Sequence, residues 1–498
     1  MNPQLRMRIT ARCLLLLLTV SVIGIPPLRR AVAAPLAQSG ASTGRQIFLP
    51  LALAGGANKG EENPGNPNPP PSTPISTPGT TIPTPAVTSL PTPQLTATPP
   101  VPPTPAPPTP TPQNGNTSGN PCADDEFLDL TSNACRKLDR PELGFDFGRF
   151  YGWLDQNRVV NAECNEQSFE AALAQAAGGG IVRLPACTME IGRVDVPSQV
   201  VIEGAGVGKT ILKGRGCENA APRRVLLIQN QSDVVVRDLN LDSVNRNCVM
   251  LESDHSTNIL FERLAIYDST EVGIRFNNGT RKITIRYADI YNNGQYHAIG
   301  SKDCASGATL VDCPESVWTS SYSIHSNRLH EHGDHGLNVH GINGEVAGNL
   351  SYNNHHSGKF FDAECVWVHH NEFRNSEAWN IFIAPTLNIE ERASHDIYFY
   401  KNQYLDTPAG EFSWGITYTG DNVTLPLAKY TNVYVMDNEY AGRLKTNEVT
   451  LNVCPNTTED GISVSPKQYG DAATCSLNNY PSMGGAVYPQ PLGNCPAP

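Results

Sequence analysis

Asn327, Asn349 and Asn371 stand 22 residues apart in successive copies of one short pattern, and the slot recurs at Asn402 and Asn438 after longer insertions. In earlier copies the slot holds Leu239, Leu264 and Ala288, so it points inward. A buried amide must find partners for its donors and its acceptor. Identical asparagines stacked at one turn can each bond the turn backbone of the next, a ladder that belongs to a coiled solenoid of parallel sheets. Each coil then buries its apolar positions only by stacking on its neighbour. The repeating units, among them SDVVVRDLNLD, RKITIRYADIYNNGQYHAIG, SYSIHSNRLHEHGDHGLNV and CVWVHHNEFRNSEAWNIFI, alternate apolar and polar residues between Asn/Gly/Asp turns, as short strands do.

The N-terminal part has a different logic. Arg6, Arg8 and Arg12 precede the apolar run CLLLLLTVSVIGI, and Ala31-Val32-Ala33 supplies small residues for cleavage, so residues 1–33 read as an export signal. Arg29 and Arg30 before the cleavage site leave a retained anchor as the competing reading, although the run is short for a span. A short segment, 34–62, leads to 63–119, where 20 of the 41 prolines fall. Such a stretch is an extended spacer, suited to a cell-envelope tether. A cysteine-bounded piece, 120–160, is expected to cap the entrance to the solenoid at 161–455, and a tail, 456–498, follows.

Export gives the cysteines a meaning. Beyond Cys13, twelve remain, an even set in an oxidising compartment. The spacings Cys122 to Cys135 and Cys304 to Cys313 suit local closures, and Cys365, inside an apolar strand, reads as a buried thiol. The net charge of −12 argues against a nucleic-acid binder, and no apolar run beyond the N-terminus is long enough to span a membrane.

The opening QSFEAALAQAAGGGIVRLPACTMEIGRVDVPSQVVIEGAGVGKTILKG resembles the first coils of right-handed parallel β-helix proteins of the pectate-lyase-like superfamily: a helix near Ser168 to Ala177, a GGG turn, then strands. With the repeats, the resemblance covers about residues 160 to 455 and implies an all-β, right-handed parallel β-helix with a short N-terminal capping helix. It implies the Asn ladder at the second turn and substrate along the first sheet, here GIRF, AIGS, GLNV, GKFF and NIFI. Lyases, hydrolases, epimerases, tailspikes and adhesins share the fold, so the reaction must come from the outward face.

On that face, alternation turns Asn338 and His340 outward, and Asp362 follows His340 by one period, which makes the two expected vertical neighbours. Nine of the twelve histidines lie between His325 and His370. Imidazoles gathered in an exported chain suit proton transfer or metal binding near neutral pH; His325 and His369, on another sheet, are expected to be structural. Asp334, His335, His355, His356 and Lys359 fall at turns leading into the substrate strand. Lys359 takes a slot held by Ile274, Leu337 and Ile381 elsewhere, so either the register slips by one residue or an amine is buried. Arg275 stands outward on an earlier strand, and Arg263, Arg281, Lys282 and Arg286 make that region basic, which suits a carboxylated polymer. Tyr296, Trp318, Trp379, Trp414 and Tyr418 are candidates for stacking on sugars.

Residues 330–335 read HEHGDH, which fits the metal-binding signature of the metallo-β-lactamase fold, yet the motif sits inside one coil of the repeat. A local metal site from His330, His332, Asp334 or His335, or a calcium ion on Asp334 and Asp362, follows from the same residues. The reading is a secreted or cell-surface monomer acting on an extracellular polysaccharide as a polyuronate lyase or C5-epimerase. His335, His340 or Lys359 would be base or acid, Arg275 the carboxylate partner, Asp362 the orienter of His340, and Asn338, His355 and His356 substrate contacts. The alternatives are a glycoside hydrolase using Asp334 and Asp362 and a non-catalytic glycan-binding stalk.

Overall fold

The structure, a computed structural model, describes residues 120–217, 223–294, 296–301, 309, 313–314, 317–386, 394–406 and 495, with shorter runs between 412 and 458. The export signal, the spacer, Cys304, Tyr418 and most of the C-terminal tail lie outside the described residues.

From Val159 onward the strands of the coils pair in parallel with their counterparts one coil away, Thr419–Gly420 and Val423–Thr424 forming a separate antiparallel pair, and three faces result. The first face comprises Arg223–Gln229, Cys248–Asp254, Ile274–Asn277, Ile299–Ser301, the starts of His335–Ala347 and His356–His369, then Ile381–Ala384 and Phe412–Ile416. The second runs through Val200–Glu203, the starts of Ser232–Arg246 and Thr257–Ser269, Arg281–Arg286, Ser320–His325, the ends of His335–Ala347 and His356–His369, and His395–Tyr400. Asp289–Tyr291, Arg328–His330, Leu350–Tyr352, Glu372–Arg374 and Gln403–Leu405 belong to the third. This is a right-handed parallel β-helix, the hand that parallel crossovers adopt. Its interior is a column of inward residues such as Leu251, Ile274, Ile299, Leu337 and Ile381, each removed from water by the coils above and below.

The asparagine ladder closes the turn between the second and third faces. The backbone N–H and the Nδ2 of Asn327 both donate to Oδ1 of Asn349, each at 3.0 Å, and the same pair of bonds links Asn349 to Asn371, Asn371 to Asn402 and Asn402 to Asn438. Each Nδ2 also reaches a strand carbonyl of a preceding coil, such as Ile285 O for Asn327. A second ladder closes the next turn. There the N–H of Asn293 donates to His332 Nδ1, and the N–H of His332 donates to Asn354 Oδ1. His332 is therefore a ladder residue, and burial depresses its pKa to about 3.

The segment from Asn120 to Trp153 does not simply cap the entrance; it runs along the outside of the second face. Leu128 N–H donates to Ser326 Oγ, Asp139 and Arg140 N–H to Glu345, Phe145 N–H to Thr284 Oγ1 and Asp146 N–H to Asn258 Oδ1. The strands beneath expose polar groups that only an added layer of backbone can satisfy. At the entrance, helix Glu166–Ala176 starts at Asn165, whose side chain accepts from Ser168 N–H, and its buried Phe169, Leu173 and Ala176 join the interior column. Disulfides join Cys122 to Cys135, Cys164 to Cys187 and Cys217 to Cys248. Cys365 is not a free thiol: it is bonded to Cys495, 130 residues on, which places Cys495 beside Leu143, Trp367 and Tyr400 on the covered face. Arg286 and Arg263 also lie on this face, engaged by Glu262 and Asp238 respectively, so they are not part of the first face as the local basic character suggests.

Candidate active-site cleft

A cleft of about 760 Å³ opens on the first face. Its floor is one outward row set by strand register, Arg275, Gly300, Asn338, Lys359 and Phe382, one residue per coil, and Glu252 continues the row one coil beyond the cleft. The register answers the question that Lys359 poses. Leu337 pairs with Gly358 and Asn338 with Lys359, a 21-residue step, and the 22-residue step returns only at Gly341 and Ala363. Gly358 takes the inward slot, where a Cβ would lie 2.6 Å from Ile381 Cδ1, and Lys359 turns outward. Its Nζ lies 5.1 Å from the ring centroid of Phe361 and 5.8 Å from that of Phe382.

The same slip separates His340 from Asp362. The ring of His340 stacks on Phe361 at 4.5 Å and is fully buried, and its backbone N–H donates to Ser301 Oγ. Asp362, in the left-handed backbone region at φ 48°, accepts from Thr386 N–H. Neither His340 nor Asp362 lines the cleft, so the expected vertical pair is displaced by the bulge.

One wall is a column of imidazoles two residues before the inward-facing position of each coil. Because Ile299 pairs with Leu337 and Leu337 with Gly358, His297, His335 and His356 occupy equivalent places, followed by Trp379. His335 Nδ1 lies 2.7 Å from Asp334 Oδ1, His297 Nδ1 lies 3.4 Å from Asp334 Oδ2, and the two Nδ1 atoms are 3.3 Å apart. Asn338 Nδ2 faces His297 Nε2. His335 stacks on His356 at 5.0 Å, and His356 Nδ1 accepts from Trp379 N–H. Burial holds His297 and His335 well below the usual imidazole range and His356 at about 3, with neighbouring imidazoles and, at His297 and His335, Lys359 adding to the effect and Asp334 opposing it at His297 and His356, so all three are neutral near pH 7. Among the described residues, His335 Nε2 and Asn338 Oδ1 are buried and have no hydrogen-bond partner.

The cleft thus gathers Arg275, Asp334, His335, Asn338, His356 and Lys359. Arg275 has Glu271 at 3.3 Å and Glu252 at 3.8 Å. His355 stands aside, 44% exposed and 3.5 Å from Glu377. Tyr296 lines the cleft, whereas Trp414 and Trp318 are packed inside. The HEHGDH motif is split three ways: His330 stacks between Tyr291 and Tyr352 on the third face, His332 serves the second ladder, and Asp334 with His335 enters the cleft. His297 and Phe382 escaped the sequence reading. The step from Ile299 to Leu337 spans 38 residues rather than 22, which hid His297 from the repeat; aligning AIGS on GLNV places it over His335.

Residues 224–403 match the family described as right handed beta helix region. No curated protein matches the chain. Among solved structures, the chain is similar to the A-module of a mannuronan C-5 epimerase from Azotobacter vinelandii, at 15% identity over 61% of this chain and 91% of that one, with a TM-score of 0.42. An endo-xylogalacturonan hydrolase from Aspergillus tubingensis aligns at 11% over 62% and 98%, TM-score 0.44, and a tailspike of the Escherichia coli bacteriophage HK620 at 11% over 66% and 64%, TM-score 0.43.

Proposed function

We propose that this right-handed parallel β-helix protein, of pectate-lyase-like architecture, is an exported enzyme that acts on an extracellular polyuronate as a lyase or C5-epimerase. The observation that carries the reading is the outward row: Arg275 and Lys359 stand three strand spacings apart, about 14 Å, with Gly300 and Asn338 between them and neutral imidazoles alongside. A polymer with a carboxylate on each sugar meets a cation at both ends of that row.

Arg275 pairs with a carboxylate of one sugar. The reacting sugar lies over Asn338, where the amide and the Nε2–H of His356 face its carboxylate. Removing the C5 proton places charge on that carboxylate, and donors fixed in a water-poor cleft stabilise it as it forms. Lys359 is the proton-transfer group. In elimination the C5–H electrons form the C4–C5 double bond, the C4–O bond breaks, and the departing oxygen takes a proton. In epimerisation a proton returns to the opposite face of C5. His335 Nε2, without a protein partner, is a further polar contact for the sugar.

The hydrolase reading loses its carboxylate pair, because Asp334 lines the cleft and Asp362 does not. Incubation with alginate and with pectate tests the proposal. Ultraviolet absorbance of an unsaturated uronate, or a changed epimer ratio by NMR, is expected. New reducing ends without unsaturation would make it a hydrolase, and binding without any product a glycan-binding protein.

A further inference from the structure

At the head of the cleft, His297, Asp334 and His335 bring two imidazole nitrogens and a carboxylate within 4.8 Å of one another. We propose that His297 Nδ1, His335 Nδ1 and one oxygen of Asp334 form a binding site for a divalent transition-metal ion, zinc or a metal of similar preference, open to the cleft. The edges of the triangle support it. Bonds of about 2.0–2.1 Å in a tetrahedron set donor atoms about 3.3–3.4 Å apart. The Nδ1 to Nδ1 separation of 3.3 Å and the His297 Nδ1 to Asp334 Oδ2 separation of 3.4 Å fit that edge. His335 Nδ1 rests 2.7 Å from the other oxygen, Oδ1, and a small rotation of this carboxylate, 31% exposed, would set one oxygen facing both rings.

The surroundings fit metal ligands. Metal-binding imidazoles donate their other N–H to a fixed acceptor. His297 Nε2 faces the amide of Asn338, whose Oδ1 has no hydrogen bond among the described residues while Nδ2 is turned toward the ring. Rotating that amide, an exchange of nearly indistinguishable atoms, lets Oδ1 accept from His297 Nε2–H and frees the Nδ1 lone pair. Gly300 makes the room: a Cβ there would sit 3.2 Å from His297 Cδ2. The donor set also selects the ion. Calcium prefers oxygen ligands, and here one carboxylate, with Arg275 and Lys359 in the same cleft, offers little to an ion held by charge alone. An ion that bonds imidazole gains from both rings. Asp362, expected to share calcium with Asp334, belongs to no such cluster among the described residues.

Metal binding is measured without glycan, so its failure is separate from failure of the substrate reading. The full exported chain is stripped with chelator and titrated with Zn²⁺ against a chromophoric indicator at neutral pH. One ion per chain is expected, with affinity lowered about 100-fold or more in His297→Gln and Asp334→Asn, and about 10-fold in Asn338→Leu. Cobalt substitution should give the visible absorption of a four-coordinate nitrogen and oxygen site, which does not depend on the variants folding. Absence of stoichiometric binding by the unaltered chain, or unchanged affinity in a folded His297→Gln protein, would overturn the proposal.

Discussion

The second face and the first are built from the same coils, and both carry buried charges and histidines, yet they do opposite things with them. On the second face, Glu345 accepts from Asp139 and Arg140 N–H and lies 2.9 Å from His369 Nε2, Glu262 pairs with Arg286, and Asp233 with Arg149 of the overlying segment. These charges find their counter-charges within the protein, although single buried atoms there, Arg286 Nη1 and Ser323 Oγ among them, have no hydrogen bond among the described residues, and none of them faces the cleft. On the first face, His335 Nε2 and Asn338 Oδ1 end against the cleft with no hydrogen bond among the described residues. A cluster of polar side chains marks a site when its bonding capacity is left for something else, and marks architecture when the chain itself fills it.

That contrast can be broken most forcefully at Lys359. Lys359→Met should lower turnover on a polyuronate about 10²–10⁴-fold while leaving the melting temperature near that of the unaltered chain; equal loss of stability and turnover would make the lysine architectural. Glu345→Ala should do the reverse. It strands two backbone N–H groups and His369, costing about 2–5 kcal/mol in denaturant unfolding and exposing residues 120–150 to protease, with kcat retained in the folded fraction. Acid should act on the covered face in the same sense. Burial lowers the pKa of His370 to about 3, with His369 and Lys401 adding to the effect, and burial, Arg286 and His369 hold His325 well below the usual range. The unfolded chain therefore binds more protons below about pH 6.5, and stability should be full above that value and fall toward pH 3, by at most about 1.4 kcal/mol per pH unit for each histidine. A melting temperature flat across that window would contradict it. The smallest effect belongs to Gly300→Ala, whose Cβ crowds His297; KM should rise a few-fold with little change in stability.

The fold was legible because its strongest constraint is periodic. Asn327, Asn349 and Asn371 announce the stacking by spacing alone, and the five-residue ladder bears it out. The cleft was legible only in part. Lys359 could be seen to break the pattern, but the outcome, a register slip that turns it into the cleft while leaving it only 6% exposed, depended on Gly358 filling the inward slot. His340 and Asp362 were paired by counting, and a one-residue slip in the register undid the count. His297 lay beyond an insertion that lengthens its coil. The reach of residues 120–153 along the second face, and the bond from Cys365 to Cys495, depend on tertiary contacts that no local spacing encodes.

Solvent exchange at C5 tests the central claim most directly, because both elimination and epimerisation begin with removal of that proton. A polyuronate incubated with the protein in D₂O and followed by NMR should either gain deuterium at C5 or lose its C5 proton to an unsaturated end, and Lys359→Met should abolish both. Bound polymer whose C5 protons persist unchanged would show that the row from Arg275 to Phe382 holds a glycan without transforming it.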